Sequence, residues 1–150
     1  STEGNNSITY NNIAEADREL YTLVDGDWLG GEEVVNGDFA TDTDWNKSTG
    51  WTISGGAATL NTGSNFVVLS QVIAELGKAY SVTYTISNYA SGEFIAKLGN
   101  DATGTARTAN GTYTEILSPS SETTLKLFNQ TSPAEFTIDN ISVKQLITVA

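Results

Sequence analysis

Val35-Asn-Gly-Asp-Phe39, which leads on to Gly50-Trp-Thr-Ile-Ser54, and Phe136-Thr-Ile-Asp-Asn-Ile-Ser-Val143 lie towards opposite ends of the chain and share one property. In both, apolar and polar residues alternate at a period of two, and a single Asp stands beside a large apolar residue. Successive side chains of a strand point to opposite faces, so this period buries one face and wets the other. The longest alternation, Tyr80-Ser-Val-Thr-Tyr-Thr-Ile-Ser87, puts Tyr80, Val82, Tyr84 and Ile86 on one face and only Ser and Thr on the other. It predicts a central strand. In the last segment the apolar phase changes between Ile138 and Ile141, and a bulge near Asp139 is the expected cause.

The same reasoning predicts strands at 33–36, 50–54, 57–61, 65–72, 79–88, 93–98, 112–118, 122–128 and 135–145. Turn residues separate them: Asn36-Gly37, Gly55-Gly56, Ser91-Gly92, Asn110-Gly111 and Ser118-Pro119. Many short strands with turn signals between them make an all-β antiparallel sandwich, and the lack of an internal repeat argues against a propeller or solenoid. With 150 residues there is room for one such domain and an extension. The boundaries expected are an arm over 1–32, the sandwich over 33–146 and a short tail over 147–150.

The N-terminal 45 residues, the arm and the start of the sandwich, are set apart by charge. Eleven of the chain's 18 acids fall within residues 1–45, against a single base, Arg18, so this segment carries most of the net charge of −11. It repels phosphate backbones, which argues against nucleic acid as a partner. Over 12–24 two structures compete. A short helix would use Asn12 as N-cap, with Ile13, Ala16 and Leu20 along one face. A hairpin would pair 20–24 with Trp28-Leu29 through the Asp25-Gly26 turn. The helix is slightly favoured. The aromatic and apolar residues Tyr10, Tyr21, Trp28 and Leu29 are the candidate anchors for a neighbouring subunit.

Chemistry is narrowed by what is missing. The chain has no His and no Cys, so the usual proton shuttle, thiol nucleophile and zinc ligands are absent. A carboxylate pair of the glycosidase kind is the remaining enzymatic option. The acids Glu93, Glu115, Glu122 and Glu135 fall beside expected strand ends, where solvated charge is ordinary. No enzyme is expected. No apolar run approaches a membrane span, so no membrane partner is expected either.

Together with Gly55-Gly-Ala-Ala-Thr-Leu60, the two opening segments resemble the jelly-roll carbohydrate-binding modules of the fourth, ninth and related families. Divergent copies of that module are widespread in bacteriophage virion proteins. The resemblance, over roughly residues 33–146, implies a jelly-roll β-sandwich, and the residues before it are read as an N-terminal extended or partly helical arm. It also implies a possible structural Ca²⁺ tying the first strand to the last, through the Asn36-Gly37-Asp38 turn and Asp139. The competing role for Asp38 and Asp139 is to cap their own turns. A sugar site would need exposed aromatic planes. Trp51, Phe39, Tyr80, Tyr84 and Phe136 fall on faces assigned to the core, which leaves Trp45, Tyr89 and Tyr113 as platforms.

The function expected from all this is a non-enzymatic virion protein, made in the host cytoplasm, that decorates a tailed-phage capsid. Its arm would dock on the major capsid protein or other virion subunits, with self-association possible. The alternative is a carbohydrate-binding, receptor-recognition domain of a tail fibre or of a secreted glycoside-degrading enzyme.

Overall fold

The computed structural model describes residues 22–24 and 27–147, and all its regular structure is β. Twelve strands run in order: β1 (Thr22–Val24), β2 (Asp27–Glu32), β3 (Asn46–Lys47), β4 (Trp51–Ser54), β5 (Ala57–Thr62), β6 (Leu69–Val72), β7 (Ala79–Ser91), β8 (Phe94–Leu98), β9 (Ala102–Thr103), β10 (Gly111–Leu117), β11 (Thr124–Asn129) and β12 (Ala134–Ile147). They form two antiparallel sheets. The larger runs β10-β7-β12, with β5 and then β2 along the far side of β12, β4 outside β5 and β1 outside β2. The smaller runs β3-β6-β11-β8-β9. This is the all-β sandwich that the alternation demands.

The core lies between the sheets and follows the period of two. Tyr80, Val82, Tyr84 and Ile86 are all buried, as are Phe39, Trp51 and Phe136. Phe136 meets Trp51 and Phe94 edge-on at centroid distances of 6.2 and 5.6 Å, an arrangement that aligns ring edges with π faces. On the outer face of the large sheet the hydroxyls pair across strands: Thr83 with Thr114, Thr85 with Thr112, and Thr59 with Thr137. The expected bulge is present. In β12 the register against β7 shifts between Asp139 and Ser142, Asn140 takes φ +54°, and burial passes from Ala134, Phe136 and Ile138 to Ile141 and Val143.

Three expectations need correcting. Residues 22–24, assigned to the end of a helix, form strand β1 paired with β2, so the hairpin reading holds there and residues 12–21 lie outside the described residues. Residues 33–36 are not a strand. Asn36 sits at φ +60° and Phe39 at φ +53°, which breaks the extended path, and the N–H of Val35 donates to the Gln71 side chain instead of to a strand partner. Finally, 65–68 is loop, so β6 starts at Leu69. The two-residue strands β3 and β9, too short to show a period, went unanticipated.

Two carboxylates, Asp101 exposed and Glu122 half-buried, fasten the loops around 99–124. Asp101 accepts hydrogen bonds from the N–H and hydroxyl of Ser120 and from the hydroxyl of Ser121, and these hold its carboxyl at about 2. Glu122, bonded by Lys126 and by the N–H of Thr124, is likewise held at about 2. A depressed carboxylate stabilises the fold above its ordinary pKa and loses that contribution as pH falls through the folded value. The melting temperature should therefore drop between about pH 4 and pH 2. Asp101→Asn should flatten that drop, and an unchanged slope would assign the acid lability to other groups.

Candidate functional site: the outer face of the five-stranded sheet

A sheet packed on one side alternates in burial, and β8 and β11 do not. Phe94, Ile95 and Ala96 are all buried, and so are Leu127, Phe128 and Asn129. Phe94, Ala96, Leu125 and Leu127 belong to the core between the sheets, whereas Ile95 and Phe128 do not. They are cross-strand partners on the outer face, 3% and 8% exposed. What covers Phe128 there is the loop at 63–68, whose Phe66 ring lies 6.1 Å from it.

Phe66 itself is 62% exposed and sits at φ +59°. A bulky residue in left-handed backbone costs roughly 1 to 2 kcal/mol, so something must impose that conformation. Asn129 does. Fully buried, it accepts the N–H of Val67 at Oδ1 (2.9 Å) and donates from Nδ2 to the carbonyls of Ser64 (2.8 Å) and Thr131 (2.9 Å). Its backbone carbonyl accepts the N–H of Phe66 at 2.8 Å. A buried amide thus holds an exposed aromatic in strained backbone.

Beside the aromatics runs a polar row. Register places Asn46, Ser70, Lys126, Lys97 and Thr103 abreast, one from each of the five strands. Four strand spacings make the row roughly 19 Å long. Lys126 and Phe128, two residues apart on one face, are neighbours roughly 7 Å apart along the strand. Lys126 thus stands beside Phe128, on which the exposed Phe66 ring packs.

No family model matches the sequence, and no curated protein does. Among solved structures, the chain is similar to a CBM4 carbohydrate-binding module, at TM-score 0.53 and 13% identity, covering 75% of this chain and 99% of that one. It is also similar to the CBM22-1 xylan-binding domain from Paenibacillus barcinonensis Xyn10C, at TM-score 0.50 and 13% identity over 73% and 90% of the two chains. The chain has the fold of a carbohydrate-binding module. A third likeness, at TM-score 0.51 and 16% identity, is to the enzymatically active domain of tailspike protein 4 from bacteriophage CBA120; it covers 77% of this chain and only 21% of that one.

On this module fold the aromatics expected to be platforms are placed elsewhere. Trp45 is only 8% exposed, its indole N–H donating to the Asn36 carbonyl and its ring 5.4 Å from Phe39, so its plane is spent inside the fold. Tyr89 is partly buried against the core and donates to the Gly92 carbonyl. Tyr113 donates to the Ala109 carbonyl, and the Arg107 guanidinium lies 4.4 Å over its ring. Both line the opposite edge of the sandwich. There the Arg107 Nε donates to the Tyr84 hydroxyl, which donates to Glu115 at 2.7 Å. Burial pushes the Tyr84 phenol well above its ordinary value. The Arg107 Nη2 lies 3.7 Å from Glu115 Oε1, so these side chains tie the edge of the sandwich together.

Asp38 accepts the N–H of Ala40, and Asp139 accepts the N–H of Asn140, the turn-capping role. Among the described residues no group of three or more acidic side chains converges. The side-chain tie between the neighbouring strands β2 and β12 is made by Glu32: Oε2 accepts the N–H groups of Val143 (2.7 Å) and Val34 (3.2 Å), and Oε1 accepts the Ser142 hydroxyl (2.6 Å). Of the arm candidates, Tyr10 and Tyr21 lie outside the described residues, as does the Trp28 side chain; Leu29 is half-buried and pairs with Leu146.

Proposed function

We propose that this chain is a non-catalytic glycan-recognition domain that stacks one sugar ring on Phe66 while the polar row Asn46, Ser70, Lys126, Lys97 and Thr103 contacts neighbouring sugars of the same polymer. The observation that carries the reading is Phe66, an aromatic kept exposed at a positive φ by a buried hydrogen-bond network. The fold neighbours lend support, because two of them are named as carbohydrate-binding domains. They favour recognition over capsid decoration, whose anchors Tyr10 and Tyr21 fall outside the described residues. A tail fibre or a secreted glycoside-degrading enzyme is the proposed setting.

The test is affinity electrophoresis against a panel of soluble polysaccharides. A ligand retarding the wild type should be bound about tenfold more weakly by Phe66→Ala, the loss of one aromatic stacking contact of roughly 1.4 kcal/mol. Phe66→Gly should lose the same affinity yet melt no lower than Phe66→Ala, because glycine accepts the positive φ. Full binding by both variants would remove Phe66 from the site.

A further inference from the structure

The polar row contains a charge arrangement that a neutral ligand does not explain. Lys97 and Lys126 stand directly opposite each other on the outer face of the smaller sheet, where like charges destabilise the pair. Lys126 is answered by Glu122 Oε2 at 2.7 Å and by Asn100 Oδ1 at 2.6 Å. The Lys97 ammonium, by contrast, has no hydrogen bond or ion pair among the described residues. Acids outnumber bases 18 to 7 in this chain, so anionic partners for a lysine are plentiful, yet none is supplied here.

We propose that the glycan bound at this face is anionic, a polymer of sugar carboxylates in which one acid group pairs with Lys97 while a neighbouring ring rests on Phe66. The inference rests on the glycan reading above and adds the ligand's charge. Each ring of a polyuronate carries an apolar C–H face and a carboxylate, matching an aromatic plane and an ammonium group along one polymer. The chain's overall charge of −11 opposes such a ligand at long range. That repulsion is screened beyond about 8 Å at physiological salt, so at contact the local pair dominates.

Isothermal titration with polygalacturonate and with neutral xylan, both in EDTA, separates the outcomes. Wild type should bind polygalacturonate, more weakly as salt rises, and Lys97→Gln should lose about tenfold in affinity. Lys97→Gln should also melt no lower than wild type, because it relieves the like-charge pair. Xylan preferred, with Phe66→Ala weakened and Lys97→Gln unaffected, would overturn the anionic inference and leave glycan recognition standing. Polygalacturonate bound through Lys97 but equally well by Phe66→Ala would overturn the stacking site instead. Binding of neither polymer by the wild type would overturn both for these sugar classes.

Discussion

Asn129→Ala is expected to destabilise the domain by about 3 kcal/mol and to abolish binding at the Phe66 face in the same stroke. Alanine leaves the N–H of Val67 without its acceptor and the carbonyls of Ser64 and Thr131 without their donor, in a place where Asn129 itself is fully buried. An unsatisfied buried polar group costs roughly 1 to 3 kcal/mol. Not all of that is felt, because the loop at 63–68 can relax outward and let water in. That relaxation is what releases Phe66 from its positive φ. Asn129→Asp sharpens the test. A carboxylate would accept from Val67 but present a charged oxygen to two carbonyls, so at pH 7 it should be less stable than the alanine variant. Below the carboxylate range the acid protonates and regains one donor, and the gap should narrow. Urea unfolding at pH 7 and pH 4 measures both, and equal stabilities at the two pH values would show that the loop does not depend on the amide.

The fold was legible because its signal is periodic. Four buried residues at Tyr80, Val82, Tyr84 and Ile86, and a phase change at Asp139, are direct consequences of a strand's alternation. The candidate site was not legible, for three physical reasons. Phe66-Val-Val-Leu69 reads as the start of a strand, since aromatic and β-branched residues fit a pleated surface; only Gly63-Ser-Asn65 just before it hints at a loop. The backbone that turns Phe66 outward is fixed by Asn129, a residue far away in sequence, and no local pattern encodes that contact. The polar row depends on register between five strands, which sequence spacing leaves open. Conversely, Trp45 looked exposed because it sits in a loop, and the burying partner Phe39 comes from a turn at positive φ.

Gly37→Ala should cost roughly 2 to 4 kcal/mol, while Asp38→Ala next to it should cost under about 1. A methyl group on Gly37 would overlap the backbone carbonyl oxygen of Ile141. That oxygen has little freedom to retreat, because the N–H of Ile141 donates back to the Gly37 carbonyl at 2.9 Å and Ile141 is buried within β12. Overpacking of this kind is usually relieved by moving a side chain, and here both partners are main chain. Asp38, by contrast, holds one exposed N–H of its own turn. The pair of variants thus separates two reasons for an Asn-Gly-Asp turn at this spot: close main-chain approach, which demands Gly37, and metal ligation, which would demand Asp38. If approach is the reason, EDTA should leave the melting temperature unchanged and Glu32→Ala should lower it more than Asp38→Ala, because Glu32 makes the cross-strand tie. A melting temperature that falls with EDTA and is restored by Ca²⁺, with Asp38→Ala as damaging as Gly37→Ala, would put a cation back at the junction of the first and last strands.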